Sequence, residues 1–316
     1  MANRIESALE RQFMLAEGPH APPRLLAAMR HAVFPGGARI RPQLCLAVAK
    51  ACSEDAPALS DAAATAIELL HCASLAHDDM PCFDDADLRR GRPTVHKAWG
   101  EPLALLAGDA LIVMAFEALG RGADGCSPAQ LARLPALLAL VARCTGATDG
   151  IVGGQAWECE PRVDLSRYQQ AKTGALFVAS TCAGALAAGQ PAAPWARLGE
   201  CLGEAYQVAD DIRDVLGDAV LLGKPVGQDA QHGRPSAAAD LGLVGALQHF
   251  QGLMQAAVDS VPDCPSRESL CRLVRSESER LVPQVACTRL LEEAGMVLAP
   301  SNAGSSSVSA LRGVAG

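Results

Sequence analysis

The sequence predicts an all-α fold, and three observations support this. Half of the 316 residues are apolar and only 3% are aromatic, with Ala, Leu, Arg and Glu, which favour helices, prominent throughout. Strand-like alternation hardly appears. Gly- and Pro-containing breaks separate a series of helical stretches. We expect one helical domain over residues 1–298, followed by a disordered tail, 299–316, which is rich in Ser, Gly and Ala.

Charge and cysteine spacing narrow the class of protein. The net charge is −8 and the pI is near 5.4, whereas nucleic-acid-binding proteins usually carry a basic excess. The twelve cysteines include no Cys-x-x-Cys pair and mostly fall in apolar stretches, where a free thiol behaves as a small buried hydrophobe. We therefore expect no nucleic-acid partner, no disulfide framework and a reducing compartment.

The N-terminal segment and the apolar runs argue against export and membrane insertion. Residues 1–13 carry charges throughout and lack the apolar centre of a secretory signal. The stretch from Leu103 to Leu119 is interrupted by Asp109 and Glu117, so it falls short of the ~18 uninterrupted apolar residues of a membrane span. The sequence predicts a soluble, cytoplasmic protein with no stable membrane insertion.

Two predicted helices carry polar residues on one face. The first runs from a Ser60-Asp61 cap to about Asp79. One of its faces holds four residues at spacings of four, three and four, namely Ile67, His71, Ser74 and Asp78. The second helix runs from about Trp195 to Leu216. Its polar face holds Gln207, Asp210, Asp211 and Asp214. Such a polar stripe on an apolar helix is costly unless it faces a wet or metal-filled cavity.

The first helix ends in a dense acidic cluster. Five carboxylates fall within ten residues, at Asp78, Asp79, Asp84, Asp85 and Asp87. The helix should stop near Pro81, so the later carboxylates should curl back toward its end. Like charges at this density repel one another unless a cation neutralises them, and oxygen-only ligands suit Mg²⁺. The alternative is a solvated acidic loop. Together with Asp210 and Asp211, the cluster predicts two facing acidic helices that hold several Mg²⁺ ions around one diphosphate.

Lysine usage adds a further indication. Only four of the 27 basic residues are lysines, at Lys50, Lys97, Lys172 and Lys224. In a chain that prefers arginine, a retained lysine suggests that a compact point charge is needed. Lys172 and Lys224 are therefore candidate diphosphate contacts, with ordinary surface lysines as the alternative.

Five ordered blocks together resemble the trans-prenyl diphosphate synthases. They are P-G-G-A-R-I-R-P, H-D-D-M-P-C-F-D-D-A-D-L-R-R-G-R-P-T, A-K-T-G-A-L-F, Y-Q-V-A-D-D-I-R-D and L-G-K-P-V-G-Q-D, and they span roughly Phe34 to Ser236. The chain is most similar to bacterial geranylgeranyl diphosphate synthases of the carotenoid and bacteriochlorophyll branch. The resemblance implies a helical bundle of the isoprenoid synthase fold around a central apolar tunnel, prenyl diphosphate substrates and a homodimer.

The resemblance also implies a role for each matching residue. Mg²⁺, as three ions, and the allylic diphosphate would be bound by Asp78, Asp79, Asp84, Asp210, Asp211 and Asp214. The same diphosphate would be held by Arg89, Lys172 and Lys224. Isopentenyl diphosphate would be held by Arg41, His71 and Arg90. Thr173 and Gln207 would line the reacting allylic carbon. Taken alone, His71 could equally be a hydrogen-bonded core histidine.

Three positions depart from the family pattern. Ala38 stands where lysine usually contacts isopentenyl diphosphate, so either Arg39 compensates or affinity is lower. Arg213 replaces an apolar residue inside the second acidic motif and is expected to temper its charge. Gln228 replaces a frequent lysine, a loss that Arg234 is expected to cover in part.

Small residues near the first acidic cluster predict a long product. Ala73 and Ser74 lie just before Asp78, and aromatic residues there would close the tunnel early, as in farnesyl-producing relatives. The resemblance therefore implies geranylgeranyl diphosphate, with Leu70 and Ile67 as candidates for the tunnel floor. Alternatively, the two small residues only permit close helix packing.

Three other functions remain open on sequence grounds. The chain could be a farnesyl diphosphate synthase, or a non-catalytic partner subunit of another prenyl synthase, given the departures described above. It could also be a terpene cyclase, which uses similar acidic helices but needs no second diphosphate site.

Overall fold

The computed structural model describes residues 1–34, 36–162, 165–216 and 237–282, without the side chains of 165–166, 214–216 and 237–239. The first helices are α1 (Ala2–Ala16), α2 (Pro23–Val33), α3 (Ile40–Ala51), α4 (Pro57–Asp78), α5 (Val95–Trp99), α6 (Glu101–Arg121) and α7 (Pro128–Leu131). The later ones are α8 (Leu134–Thr145), α9 (Ile151–Ala156), α10 (Leu165–Gln169), α11 (Ala175–Ala187), α12 (Ala196–Leu216), α13 (Ala237–Asp259) and α14 (Arg267–Leu281). The expected all-α fold is confirmed. The expected tail, 299–316, lies outside the described residues.

Two central helices organise the bundle. Helix α4 packs against α3, α6 and α11, and α11 packs against α3, α8 and α12, while α12 packs against α13. Both α4 and α11 are buried over most of their surface, as expected for helices that are apolar all round. Gly184 lets α11 approach α3 closely, because a Cβ there would lie 2.3 Å from the Cys45 carbonyl oxygen. The end of α4 lies beside the segment that precedes α11, since the Lys172 Nζ is 3.3 Å from the Asp78 Oδ1.

The predicted first residue is accurate for one of the two polar-faced helices and wrong for the other. Helix α12 begins within one residue of the prediction. Helix α4 starts at Pro57, not at the predicted Ser60-Asp61 cap, because proline is well placed in a first turn, where its missing N–H costs nothing. The Ser60 hydroxyl donates to the Ala56 carbonyl instead, and Asp61 pairs with Arg4.

A short hairpin follows the acidic cluster. Strands β1 (Leu88–Arg89) and β2 (Arg92–Pro93) pair in antiparallel fashion. The two linking residues, Arg90 and Gly91, have φ of 54° and 74°, as two-residue hairpin turns require. This turn fixes the backbone of Arg89 and Arg90 beside the end of α4.

Helix α6 is long and apolar enough to cross a membrane by length and composition, with a mean hydropathy of 1.9. Buried core helices pass the same test, and 44% of its apolar window is buried inside the protein. Its buried side packs on α4, α2 and α5. Leu105, Leu106 and Val113 are exposed on its other side.

The eleven described cysteines are free, and seven of them are buried. Burial raises the pKa of the Cys52 and Cys182 thiols to about 11. They therefore act as apolar core side chains at neutral pH.

Candidate active site

One cavity of about 790 Å³ receives both acidic segments. Asp78 and Asp84 line it from the end of α4 and the following loop, and Asp210 lines it from α12. The loop turns back as expected, since the Asp84 N–H donates to the Asp78 carbonyl oxygen over 3.0 Å and the Ala86 N–H donates to that of Asp79 over 3.1 Å. The structure therefore brings the two predicted acidic segments to a common space.

The second aspartate of each Asp-Asp pair does not line this cavity. Asp79 and Asp211 are both 2% exposed. Asp79 accepts hydrogen bonds from Arg89, and Asp211 accepts one from Gln207. Consecutive helical residues point about 100° apart, so a helix end cannot present both side chains equally. Their role as metal ligands stays a prediction, as does that of Asp214, whose side chain is not described.

Burial makes the Asp78 carboxylate an unstable anion without a cation nearby. Its pKa is raised by burial, and the charge of Lys172 opposes that rise. The Lys172 Nζ lies 3.3 Å from the Asp78 Oδ1. Burial likewise raises the pKa of Asp79, against the hydrogen bond and charge of Arg89. Both carboxylates thus sit where positive charge is strongly stabilising.

Lys172 and Thr173 lie in a π-helical turn, Gln170–Gly174, that joins α10 to α11. Such turns occur often at functional sites, because the extra residue redirects side chains. The Thr173 hydroxyl donates to the Gln207 Oε1 over 3.1 Å, and the Gln207 Nε2 donates to Asp211 over 3.0 Å. This chain of hydrogen bonds fixes Gln207 between the π-helical turn and α12.

The sequence reasoning missed Glu158. This residue lies in a 3₁₀ turn, Trp157–Cys159, that follows α9. Its carboxylate accepts hydrogen bonds from the Lys172 Nζ at 2.6 Å, the Tyr168 hydroxyl at 2.6 Å and the Gln155 Nε2 at 3.0 Å. Lys172 therefore stands between two carboxylates, Glu158 and Asp78. A single acidic residue 14 positions before Lys172 carries no spacing signal that could have revealed this contact.

Cationic groups line the cavity on the side of α3. The Arg41 Nη1 lies 3.3 Å from the His71 Nε2, and the Arg41 guanidinium carbon lies 4.6 Å from the Phe177 ring centre. Among the described residues, the buried Arg41 Nε has no hydrogen-bond partner. Buried donors are normally satisfied, so this group indicates a place for an anionic oxygen.

His71 is neutral in this setting. Burial lowers its pKa well below the ordinary value, and the charges of Arg41 and Arg90 act in the same direction. Because guanidinium groups only donate, the His71 Nε2 accepts from Arg41 and the proton resides on Nδ1. His71, Arg41 and Arg90 all line the cavity.

The glycine pair before α3 makes room for two arginines. A Cβ at Gly36 would lie 2.0 Å from the Arg39 Cζ, and one at Gly37 would lie 2.5 Å from the Arg90 Cζ. A side chain at either position would displace the facing guanidinium group. The two glycines therefore leave the space that both guanidinium groups occupy.

Arg39, next to Ala38, borders the cavity, but its guanidinium is engaged by other residues of the protein. Its three guanidinium nitrogens already donate, to Glu6, to Glu68 over 2.6 Å and to the Val33 carbonyl oxygen. Its side chain is 3% exposed. A contact between Arg39 and substrate therefore stays a prediction, and it would require one of these hydrogen bonds to be exchanged.

Two further expectations concern Arg213 and the residues below Asp78. Arg213 pairs with Asp210 and donates to the Ala209 carbonyl oxygen, as its expected role in tempering the acidic motif requires. Cavity-lining positions include Leu70, Ala73 and Ser74, but not Ile67. Ile67 is fully buried and so does not form the floor of the cavity. Lys224, Gln228 and Arg234 lie outside the described residues.

The residues present suit a hard divalent cation. Asp78, Asp84 and Asp210 offer only oxygen ligands, which Mg²⁺ prefers. Within the described residues, no three His, Cys, Asp or Glu side chains already form a metal cage. An ion at this site would therefore complete its coordination with phosphate oxygens and water, as Mg²⁺ commonly does.

Comparisons with known proteins agree with this geometry. A geranylgeranyl diphosphate synthase of Cereibacter sphaeroides is 52% identical over 91% of this chain and 98% of its own length. One of Rhodobacter capsulatus is 48% identical over 88% and 95%. A solved geranyltransferase of Helicobacter pylori, complexed with magnesium and isoprenyl diphosphate, matches with a TM-score of 0.71 at 27% identity, covering 88% of this chain and 97% of that one. The polyprenyl synthetase family model matches residues 22–256. The chain belongs to the polyprenyl synthetase family, as its sequence motifs predict.

Proposed function

We propose that this protein is a geranylgeranyl diphosphate synthase, which extends allylic diphosphates with isopentenyl diphosphate up to twenty carbons. The observation that carries the proposal is the common cavity of Asp78 and Asp210, with Arg41 and His71 on its other side. The names of the two relatives at 52% and 48% identity support the product. Two oppositely charged sides in one cavity suit two diphosphates, one bound through metal and one through arginine.

Mg²⁺ would bind the allylic diphosphate. Three ions would be held by Asp78, Asp84 and Asp210, with Asp79, Asp211 and Asp214 as further ligands. When bound, the ions would stabilise the negative charge that develops on the departing diphosphate. Lys172, Arg89 and Lys224 would add direct contacts to its oxygens.

The protein's own groups would orient the second substrate. Arg41 and Arg90 would pair with the diphosphate of isopentenyl diphosphate, and the Arg41 Nε, which has no partner among the described residues, would donate to one of its oxygens. Neutral His71 would donate its Nδ1–H. Thr173 and Gln207 would place oxygen atoms beside the allylic carbon, where positive charge develops. The double bond of isopentenyl diphosphate would attack that carbon, and the departed diphosphate would accept the proton then lost.

Product analysis tests this proposal against the alternatives. The purified chain, incubated with Mg²⁺, labelled isopentenyl diphosphate and dimethylallyl, geranyl or farnesyl diphosphate in turn, should give the twenty-carbon diphosphate from each. A fifteen-carbon end product would indicate a farnesyl diphosphate synthase. No turnover by the chain alone would indicate a partner subunit. Consumption of the allylic substrate without isopentenyl diphosphate would indicate a cyclase.

We further propose that a second copy of the chain covers the exposed side of α6, giving a soluble cytoplasmic homodimer. Leu105, Leu106 and Val113 are about half exposed or more, and such a patch usually marks a contact surface. Asp109 lies on the same side of the helix and is 57% exposed. A carboxylate there would be costly in hydrocarbon, so a protein partner fits this side better than a membrane.

A further inference from the structure

Arg213 brings a positive charge into the second acidic segment, residues 210–214, at a position that departs from the family pattern. It lines the same cavity as Asp78 and Asp210. We propose that Arg213 competes with divalent cations for Asp210 and thereby sets the cation concentration that this segment requires. The inference rests on the proposed function, because it concerns the Mg²⁺ that the reaction would use.

The contact between Arg213 and Asp210 covers one carboxylate oxygen. The Arg213 Nη2 donates to the Asp210 Oδ1, and the Arg213 Nε donates to the Ala209 carbonyl oxygen over 3.1 Å. Residues three apart on a helix are neighbours on its surface, so the pair forms within one turn of α12. The Asp210 side chain is 46% exposed and that of Arg213 is 33% exposed. The guanidinium therefore occupies a position from which a cation would approach the Asp210 Oδ1.

Lys172, beside the first acidic segment, is held differently. Its Nζ lies 3.3 Å from the Asp78 Oδ1 but 2.6 Å from the Glu158 Oε1. A cation that takes Asp78 therefore leaves Lys172 with the shorter of its two ion pairs. Among the described residues, Asp210 is the one carboxylate that pairs with Arg213. A cation that takes Asp210 leaves this guanidinium without a carboxylate, so metal binding is opposed more strongly at α12 than at α4.

The charge of Arg213 also acts on a metal ion once the hydrogen bond has opened. A unit positive charge about 6 Å from a divalent ion weakens its binding about tenfold in surroundings as polar as water, and more in a less polar cavity. Salt reduces this repulsion at exposed positions, so it is largest at low ionic strength. A neutral side chain of similar length at position 213 would remove both the competing hydrogen bond and the repulsion.

Binding of Mn²⁺ tests the assignment without any diphosphate present. Mn²⁺ shares the preference of Mg²⁺ for carboxylate ligands, and electron paramagnetic resonance measures the free ion during a titration at low ionic strength. Arg213→Met should tighten Mn²⁺ binding about tenfold, and Arg213→Gln, a second neutral variant, should act alike. Arg213→Lys keeps the charge and should stay within about threefold of the unaltered chain.

Two controls show whether the effect is local. Arg197 also lies on α12, is 62% exposed and pairs with Glu200 three residues away, so Arg197→Met removes a comparable ion pair outside the cavity. It should leave the Mn²⁺ affinity unchanged. Asp210→Asn alone should weaken Mn²⁺ binding. In the Asp210→Asn background, Arg213→Met should change the affinity less than about threefold, because a contact that acts through Asp210 is already lost.

Three results would overturn the assignment. These are an Arg213→Met affinity equal to that of the Arg197→Met control, an Arg213→Lys affinity as high as that of Arg213→Met, or an undiminished effect of Arg213→Met in the Asp210→Asn background. Thermal midpoints show that each variant folds. If the proposed function fails, the unaltered protein forms no condensation product, while the Mn²⁺ titrations still report on Arg213. Mn²⁺ binding that Asp210→Asn does not change would refute both this inference and the proposed metal position at Asp210.

Discussion

The depth of the cavity below Asp78 makes a quantitative prediction about product length. Ser74 lies four residues before Asp78 on α4, or about 6 Å along the axis, and Leu70 lies a further 6 Å away. Both line the cavity. One helical turn is close to the length of one isoprene unit, so a floor raised from Leu70 to Ser74 should stop growth one unit earlier. Ser74→Phe should therefore convert a twenty-carbon enzyme into a fifteen-carbon one.

The size of the effect follows from packing. Forcing the longer tail past an added phenyl ring is an overpacking problem, which typically costs about 1–3 kcal/mol. Because each 1.4 kcal/mol changes a rate ratio about tenfold, the ratio of twenty- to fifteen-carbon product should fall on the order of 5- to 150-fold. Ala73→Phe should act in the same direction, as Ala73 also lines the cavity.

Chromatography of products from dimethylallyl diphosphate measures this ratio directly. Ser74→Ala is the matched control, because it removes the hydroxyl that donates to the His71 carbonyl oxygen but adds no bulk. It should keep the product of the unaltered chain. The rate of the first condensation and the thermal midpoint show whether Ser74→Phe still folds. A folded, active Ser74→Phe variant with an unchanged product ratio would refute the tunnel reasoning and favour close helix packing as the reason for the small residues.

Three further predictions concern pH, a buried ion pair and assembly. The pKa of His71 is depressed by burial and by arginines, so below about pH 6.5 the unfolded chain binds more protons than the folded one. Stability should fall with decreasing pH by up to about 1.4 kcal/mol per unit, and urea titrations should show a flatter profile for His71→Gln than for the exposed His20→Gln. Arg39→Met strands the buried Glu68 and should cost about 3–5 kcal/mol of stability, while the KM of isopentenyl diphosphate in the folded variant stays within twofold; a selective rise would restore Arg39 as a substrate ligand. Val113→Arg should give monomers in light scattering, and an unchanged mass would locate any dimer contact elsewhere.

Local periodicity explains which parts of the site could be predicted. His71, Ser74 and Asp78 lie on one helical face, so their common direction follows from the 3.6-residue repeat alone. The same repeat explains why Asp79 is turned away. The predicted start of α4 was wrong. Ser60 and Asp61 are residue types that commonly cap helices, but the helix already begins at Pro57.

The parts of the site that the sequence did not predict depend on contacts between distant segments. The sequence places Arg39 next to Ala38 and leaves open whether it compensates or affinity is lower, but it could not show that distant residues already occupy the Arg39 guanidinium. Its guanidinium is committed to Glu68. Arg280 is 242 positions from Ala38 by residue number, and only the antiparallel packing of α14 on α3 brings the two to one cavity. The net charge of a cavity depends on all the side chains that line it. A positive charge that is missing at one position can therefore be supplied by a residue from another helix or loop that lines the same cavity. Six described arginines from five separate segments line this cavity, namely Arg39, Arg41, Arg89, Arg90, Arg213 and Arg280, so the sequence alone could not identify which of them balances the change at Ala38.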